Sequence, residues 1–256
     1  MRNILVYDGS FDGFLTAIFD VYDEKLTDVT IQPKQRSTQN FFDTSSEVVT
    51  DEKKAHRVWE GISKACSKTG KTNIYRAFLS ELDGIEDTLF HFIKRSLAER
   101  VDVAKDYGDA EILKISKVVK MVGREKHRMD AFVRFRQTKD GLYFATVSPD
   151  FNVLPLLIKH FKSRYADQQW IIYDLKRDYG IYYNLQEVTT IVLENSDAFR
   201  SNSKNGSFFT EEEMVFESLW KNYFKSTNIV SRKNTKLHLQ HVPKRYWKYL
   251  SEKSPV

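Results

Sequence analysis

The sequence predicts an α+β fold: a helical region, then a mainly antiparallel sheet in the order β-hairpin, helix, β-meander, with helices packed on it. Three observations predict it. Apolar residues recur at helical spacing through 51–131, the period switches to two from residue 131, and short β-rich runs cluster between residues 142 and 193. The same break divides one expected domain, 1–256, into two lobes, 1–130 and 131–256.

Residues 3–8 (Ile4, Leu5, Val6 at their centre) read as a short apolar strand suited to a central position. From Phe11 the apolar residues Phe14, Leu15, Ile18, Phe19 and Tyr22 mark one buried helix face, with Ser10 as the cap. Residues 29–32 read as a second strand closed by Pro33, and 34–40 as a loop. Thr50 or Asp51 caps a helix carrying Val58, Trp59 and Ile62. Residues 72–82 and 85–97 continue the helical pattern, with Gly70 and Gly84 as punctuation.

The helix over 109–129 carries Ile112, Ile115, Val119 and Val122 on one face. At about 100° per residue, Lys114, Lys117, Lys120, Arg124 and Arg128 fall within one arc of about 120° on the other. Alternation over 131–136 then predicts a strand that projects Arg134 and Arg136 from one sheet face. Asp140-Gly141 is a hairpin signal, and 142–147 the return strand. A helix over 153–165 tolerates Pro155 in its first turn. Strands follow at 170–174, 181–184 and 188–193. Thr210 and Glu213 form a capping box for a helix burying Phe216, Leu219, Trp220, Tyr223 and Phe224. The chain then ends in a basic tail interrupted by Pro243.

With 256 residues, 41% apolar and 29% charged, the chain can bury a substantial core. No run of eighteen apolar residues and no secretory signal pattern is present. Cys66 is the only cysteine, which excludes an internal disulfide, a four-thiolate zinc site and a cysteine-ligated iron–sulfur cluster within this chain. These features predict a cytoplasmic protein. The net charge is +5, and after residue 219 nine Lys/Arg stand against the single acid Glu252.

The stretch YDGSFDGFLTAIFDVY poses the sharpest chemical question. A strand turning through glycines into a helix can present backbone N–H groups to a phosphate, and Asp8 and Asp12 can hold a divalent cation. Asp12-Gly13 is similar to the Asp-Gly-helix start of some metal-dependent phosphoesterases, whose further Asp and His clusters this sequence lacks. Helix capping explains the same residues without a ligand. Asp150 and Asp174 are further catalytic candidates, and equally good turn residues. His238-x-x-His241 lacks a third metal ligand, and Cys66 has no nucleophile motif around it.

The basic elements point to a polyanion. The 109–129 stripe with Arg134 and Arg136 suits phosphate tracking. In the tail, Arg232, Lys233, Asn234, Lys244, Arg245 and Lys248 interleave with Tyr246, Trp247 and Tyr249, which suits phosphate contact and base stacking.

The segments YDGSFDGFLTAIFDVY, HRMDAFVRFR, YFATVSPDFNVLPLLIKHFKSRYADQQWIIYDLKRDYGIYYN and LWKNYFKSTNIVSRKN with HVPKRYWKYL resemble a bacterial DNA-repair or DNA-metabolism family of unknown biochemical role. Its members are encoded beside a radical-SAM DNA-modification or repair protein. In some relatives the domain is joined to a uracil-DNA-glycosylase-type domain, which this chain lacks. The resemblance covers nearly the whole chain and implies a nucleic-acid-binding accessory protein acting with a radical-SAM partner. No catalytic residue carries over from it. One cysteine cannot supply the three thiolates of a radical-SAM cluster, so such chemistry belongs to the partner. Two alternatives remain: a metal-dependent hydrolase or nuclease using Asp8 and Asp12, and a scaffold that binds protein only.

Overall fold

A computed structural model describes residues 3–36, 44–99, 102–193, 210, 239, 241–250 and 253. The chain divides into two compact units, Met1–Gly123 and Arg124–Val256, each α+β in its own way.

The first unit is built on a parallel sheet of order β2-β1-β3. Its strands are β1 (Asn3–Tyr7), β2 (Val29–Pro33) and β3 (Thr44–Glu47). Ile4 to Tyr7 are all buried, as suits a strand covered on both faces. Helix α1 (Phe11–Asp23) links β1 to β2 and is buried from Gly13 to Ile18 and again at Val21. Tyr22, expected on the buried face, is 46% exposed: α1 is enclosed around Gly13–Ile18 but emerges in its last turn. β3 was not foreseen, because Thr-Ser-Ser-Glu has no apolar residue. Every residue of it is exposed, and main-chain pairing with β1 holds it in place.

Helices α2 (Glu52–Ala65), α3 (Lys68–Phe78) and α4 (Ile85–Glu99) complete this unit. Asp51 caps α2 by accepting from Lys53 N and Lys54 N. Ser67 caps α3, which begins a turn earlier than its apolar pattern suggests. Gly70 lies inside that first turn rather than ending a helix. A Cβ there would meet Asp102 Oδ1 at 2.9 Å and the Cys66 Cβ at 3.1 Å. Gly84, at φ +71°, does punctuate the entry to α4. An aromatic group formed by Tyr7, Phe11, Phe14, Trp59, Tyr75 and Phe78 joins β1, α1, α2 and α3, with ring centroids 5.0–6.5 Å apart.

Helix α5 (Ala110–Phe132) runs from the first unit into the second. Its cap is Asp109, whose Oδ1 accepts from Glu111 N at 2.8 Å and Ile112 N at 3.2 Å. The other oxygen meets His91 Nε2 at 2.9 Å and Arg95 at 3.1 Å. The hydrogen bond from His91, more than the backbone N–H groups, lowers the Asp109 pKa to about 2. Because the folded value lies below the unfolded one, the stability Asp109 lends is present above the ordinary carboxylate range. It is lost as pH falls toward 2. Asp109→Ala is expected to cost about 0.5–2 kcal/mol. Thermal unfolding at neutral pH measures this, and Asp109→Asn should lose less because it keeps a capping oxygen.

The second unit carries a sheet of order β4-β5-β6-β7-β8. The strands are β4 (Arg136–Gln137), β5 (Tyr143–Val147), β6 (Trp170–Asp174), β7 (Tyr179–Tyr183) and β8 (Val188–Ile191). All neighbours are antiparallel except β5 and β6, which run parallel across helix α6 (Leu154–Arg164). β6 is buried at every residue. Trp170 packs against Phe135, Phe161 and Tyr183 at 5.4–6.2 Å. Gly141, at φ +85°, makes the turn between β4 and β5.

The strand expected over 131–136 is corrected. Helix α5 continues through Phe132, and only Arg136 and Gln137 pair in β4. Arg134 lies in the connection, where its guanidinium donates to Ala131 O at 2.6 Å and Val133 O at 3.3 Å. It thus serves the carbonyl end of α5 and shares no strand face with Arg136. After Pro243 a 3-10 helix spans Lys244–Tyr249. The helix expected after Thr210, and His238, lie outside the described residues. No described helix is long and apolar enough to cross a membrane.

Candidate functional site

The turn after β1 is closed by its own carboxylate. Asp8 Oδ1 accepts from Ser10 N at 2.8 Å and Oδ2 from the Thr50 hydroxyl at 2.8 Å, while Ser10 Oγ caps Gly13 N at 2.9 Å. Burial works to raise the Asp8 pKa, but the bonds from Ser10 and Thr50 outweigh it and hold the carboxylate below its ordinary range. A Cβ on Gly13 would stand 2.3 Å from Asp8 Oδ1, so the glycine makes room for the acid against the start of α1. Asp8 therefore occupies the position at the helix N-terminus that the sequence offers to a phosphate.

Asp12 is placed differently. It lines a cleft of about 610 Å³ between the first turns of α1 and α2, with Phe11, Glu52, Lys53, His56 and Trp59. Among the described residues no group of three or more His, Cys, Asp or Glu is arranged to hold a metal ion.

The expected basic stripe separates into two kinds of residue. Lys114, Lys117, Lys120 and Arg124 are exposed on α5. Lys114 donates to the Thr88 hydroxyl at 2.9 Å and lies 3.8 Å from Glu111. Lys117, Lys120 and Arg124 pair with no carboxylate among the described residues. Arg128 instead turns to Glu125 at 3.5 Å.

Glu125 is the residue that reading by motif missed. It lies on the buried stripe of α5, between Val122 and Met129, and is 1% exposed. Arg245 Nη2 reaches its Oε2 at 3.2 Å, Asp150 N donates to its Oε1 at 2.9 Å, and the Tyr246 hydroxyl donates to the same oxygen. A charge at a buried-face position was the available signal, since a buried carboxylate needs partners.

Around this hub the structure gathers four of the expected site residues: Arg128, Asp150, Arg245 and Tyr246. Asp150 Oδ2 is 2.7 Å from Arg245, and its carbonyl accepts from Lys176 Nζ at 3.0 Å and Arg177 Nη2 at 3.1 Å. Asp174, fully buried at the end of β6, pairs with Arg177 at 2.8 Å and accepts from Lys176 N at 2.8 Å. Burial pushes its carboxyl up, against the pull of Arg177. Both acids thus fix the loops at the carboxyl ends of β5 and β6.

In the tail, Tyr246, expected to stack on bases, is 1% exposed and packs on Phe132 at 5.4 Å. Burial first, and Glu125 next, keep its hydroxyl protonated. Trp247 donates from Nε1 to Val242 O at 3.0 Å, and Lys253 lies over its ring. Lys244 is exposed. Arg232, Lys233 and Asn234 lie outside the described residues.

Fold and site together define an α+β protein whose second unit is organised by a buried carboxylate and cations at the carboxyl ends of two parallel strands. The model of the domain of unknown function DUF4130 matches residues 83–252, more than half of the chain, and the chain belongs to that family. The match begins just before α4, so β1 to β3 and α1 to α3 lie before it. No curated protein matches the chain.

Proposed function

We propose that the chain is a nucleic-acid-binding accessory protein in DNA repair or modification, acting beside a radical-SAM partner. The observation that carries this reading is the run of Lys117, Lys120 and Arg124 along one side of α5. All three are exposed and pair with no acid among the described residues. Surface cations left without local partners are available to phosphates at little desolvation cost. Arg128 and Arg245 carry less weight in it, because Glu125 and Asp150 already engage them. The proposed context in repair comes from the family resemblance, and the partner's share of the chemistry from the single cysteine.

Fluorescence anisotropy with labelled duplex DNA across a salt series tests the proposal. Replacing Lys117, Lys120 and Arg124 together by glutamate is expected to make the slope of log affinity against log salt shallower by about 2.7, at about 0.9 per lost phosphate contact. Affinity should fall for all sequences alike, since phosphate contacts carry no base information. Absence of binding at low salt, both alone and with the partner, would refute the reading. Magnesium-dependent cleavage that disappears in an Asp8→Asn/Asp12→Asn variant would replace it with the hydrolase.

A further inference from the structure

The buried Glu125 orients the two arginines it engages. Its Oε2 lies 3.2 Å from Arg245 Nη2 and 3.5 Å from Arg128 Nη1, so one oxygen sets two guanidiniums side by side. Arg245 is fixed further by the Tyr246 hydroxyl at 2.5 Å, and its guanidinium lies over the Tyr246 ring, 4.6 Å from the centroid. Each arginine is held by one end only. Nε and Nη1 of Arg245, and Nε and Nη2 of Arg128, meet no acceptor among the described residues. The two side chains are 43% and 29% exposed.

Two guanidiniums on one carboxylate leave one positive charge in excess. Asp150 balances it, with Oδ2 2.7 Å from Arg245 Nη2. This outer pair differs from the buried one. The Asp150 carboxylate is 49% exposed, and exchanging such a surface partner costs little. The Asp150 main chain is anchored separately, its N–H on Glu125 Oε1 at 2.9 Å and its carbonyl on Lys176 Nζ at 3.0 Å and Arg177 Nη2 at 3.1 Å. The side chain can therefore leave Arg245 while the loop stays. A phosphodiester carries the same single charge, and guanidinium forks fit its oxygens. Arg128 also continues the run of Lys117, Lys120 and Arg124 by one turn of α5, about 6 Å further along the helix.

We infer that Arg128 and Arg245 form a clamp for one phosphate of a nucleic-acid strand, and that Asp150 occupies the clamp until the strand displaces it. The inference rests on the phosphate-binding reading of α5 and extends it to a defined pair of side chains.

Asp150→Asn tests it by removing the competing charge at constant size. In the wild type Asp150 serves as the counterion of Arg245, so a phosphate that replaces it releases no ion. In the variant a solvent ion takes that role and is released on binding. Against labelled duplex DNA, the slope of log affinity against log salt should steepen by about 0.9, and affinity at about 0.1 M salt should rise about fivefold. The gain should vanish in Asp150→Asn/Arg245→Gln. Urea unfolding verifies that both variants fold, and the Asp150→Asn midpoint should match the wild type. Asp167→Asn, which removes an exposed acid elsewhere in the second unit, controls for net charge. An unchanged slope, a gain that survives Arg245→Gln, or an equal gain in Asp167→Asn would overturn the clamp. So would a mononucleotide that cancels the gain at constant ionic strength, because it assigns the pair to a free ligand. Wild-type binding with no gain in Asp150→Asn removes the clamp and leaves the α5 reading standing, whereas no binding by either protein removes both.

Discussion

Replacing Glu125 by alanine is expected to destabilise the second unit by about 2–4 kcal/mol, because it leaves one buried donor without an acceptor and removes a second hydrogen bond. The reason lies in what the carboxylate satisfies. It is 1% exposed and takes hydrogen bonds from Asp150 N, Arg245, Arg128 and the buried Tyr246 hydroxyl. Its loss strands the tyrosine hydroxyl away from water and takes the acceptor from the part-buried Asp150 N–H. Arg245 keeps Asp150 at 2.7 Å, so the tail loses one of two anchors. Urea unfolding of the variant gives the magnitude, and Glu125→Gln should cost less because it retains one acceptor. Combining Glu125→Ala with Tyr246→Phe should cost less than the sum of the single changes, since each removes the same bond. A loss below about 1 kcal/mol in Glu125→Ala would show that the hub is not a structural centre.

Arg36→Met should have an effect of similar size in the first unit, with a pH dependence that identifies its cause. Glu86 is 2% exposed, with Arg36 Nη2 at 2.7 Å and the Tyr7 hydroxyl donating at 3.1 Å. Burial raises its carboxyl above the ordinary range, and Arg36 and Tyr7 pull against that rise. The ionised form is therefore the one folding disfavours. Its cost is absent below the unfolded pKa and grows as pH climbs toward the folded value. Arg36 offsets that cost, so its removal should lose about 3–5 kcal/mol at about pH 7. The loss should be much smaller near pH 4, where the unfolded carboxyl also takes up a proton. Urea midpoints of both proteins at the two pH values measure the gap. An equal gap at both would assign the effect to packing of the arginine stem instead.

Much of the fold was legible because its signals are local. Ser10 and Asp51 cap helices, Asp140-Gly141 turns a hairpin, and the strands of the second sheet keep their alternating or wholly apolar runs. Where local signals conflict, the reading failed. Ala131 to Arg136 alternates like a strand, yet α5 extends to Phe132 and Arg134 closes its end. β3 has no pattern at all, and only its pairing with β1 makes it a strand. The candidate site was less legible. Asp8 and Asp12 looked like a pair, but the turn consumes Asp8 and the cleft receives Asp12.

The sequence by itself determined the α+β class, the helix caps, the turns and the arc of cations on α5, because each depends on neighbours within a turn or two of chain. Only the tertiary structure decided which charges are spent and which remain open. Glu125 and Arg245 stand 120 positions apart, and no spacing rule relates them. Burial makes that acid demand partners, and the fold supplies them from the tail and from the loop after β5, while Lys117, Lys120 and Arg124 stay exposed on the same helix.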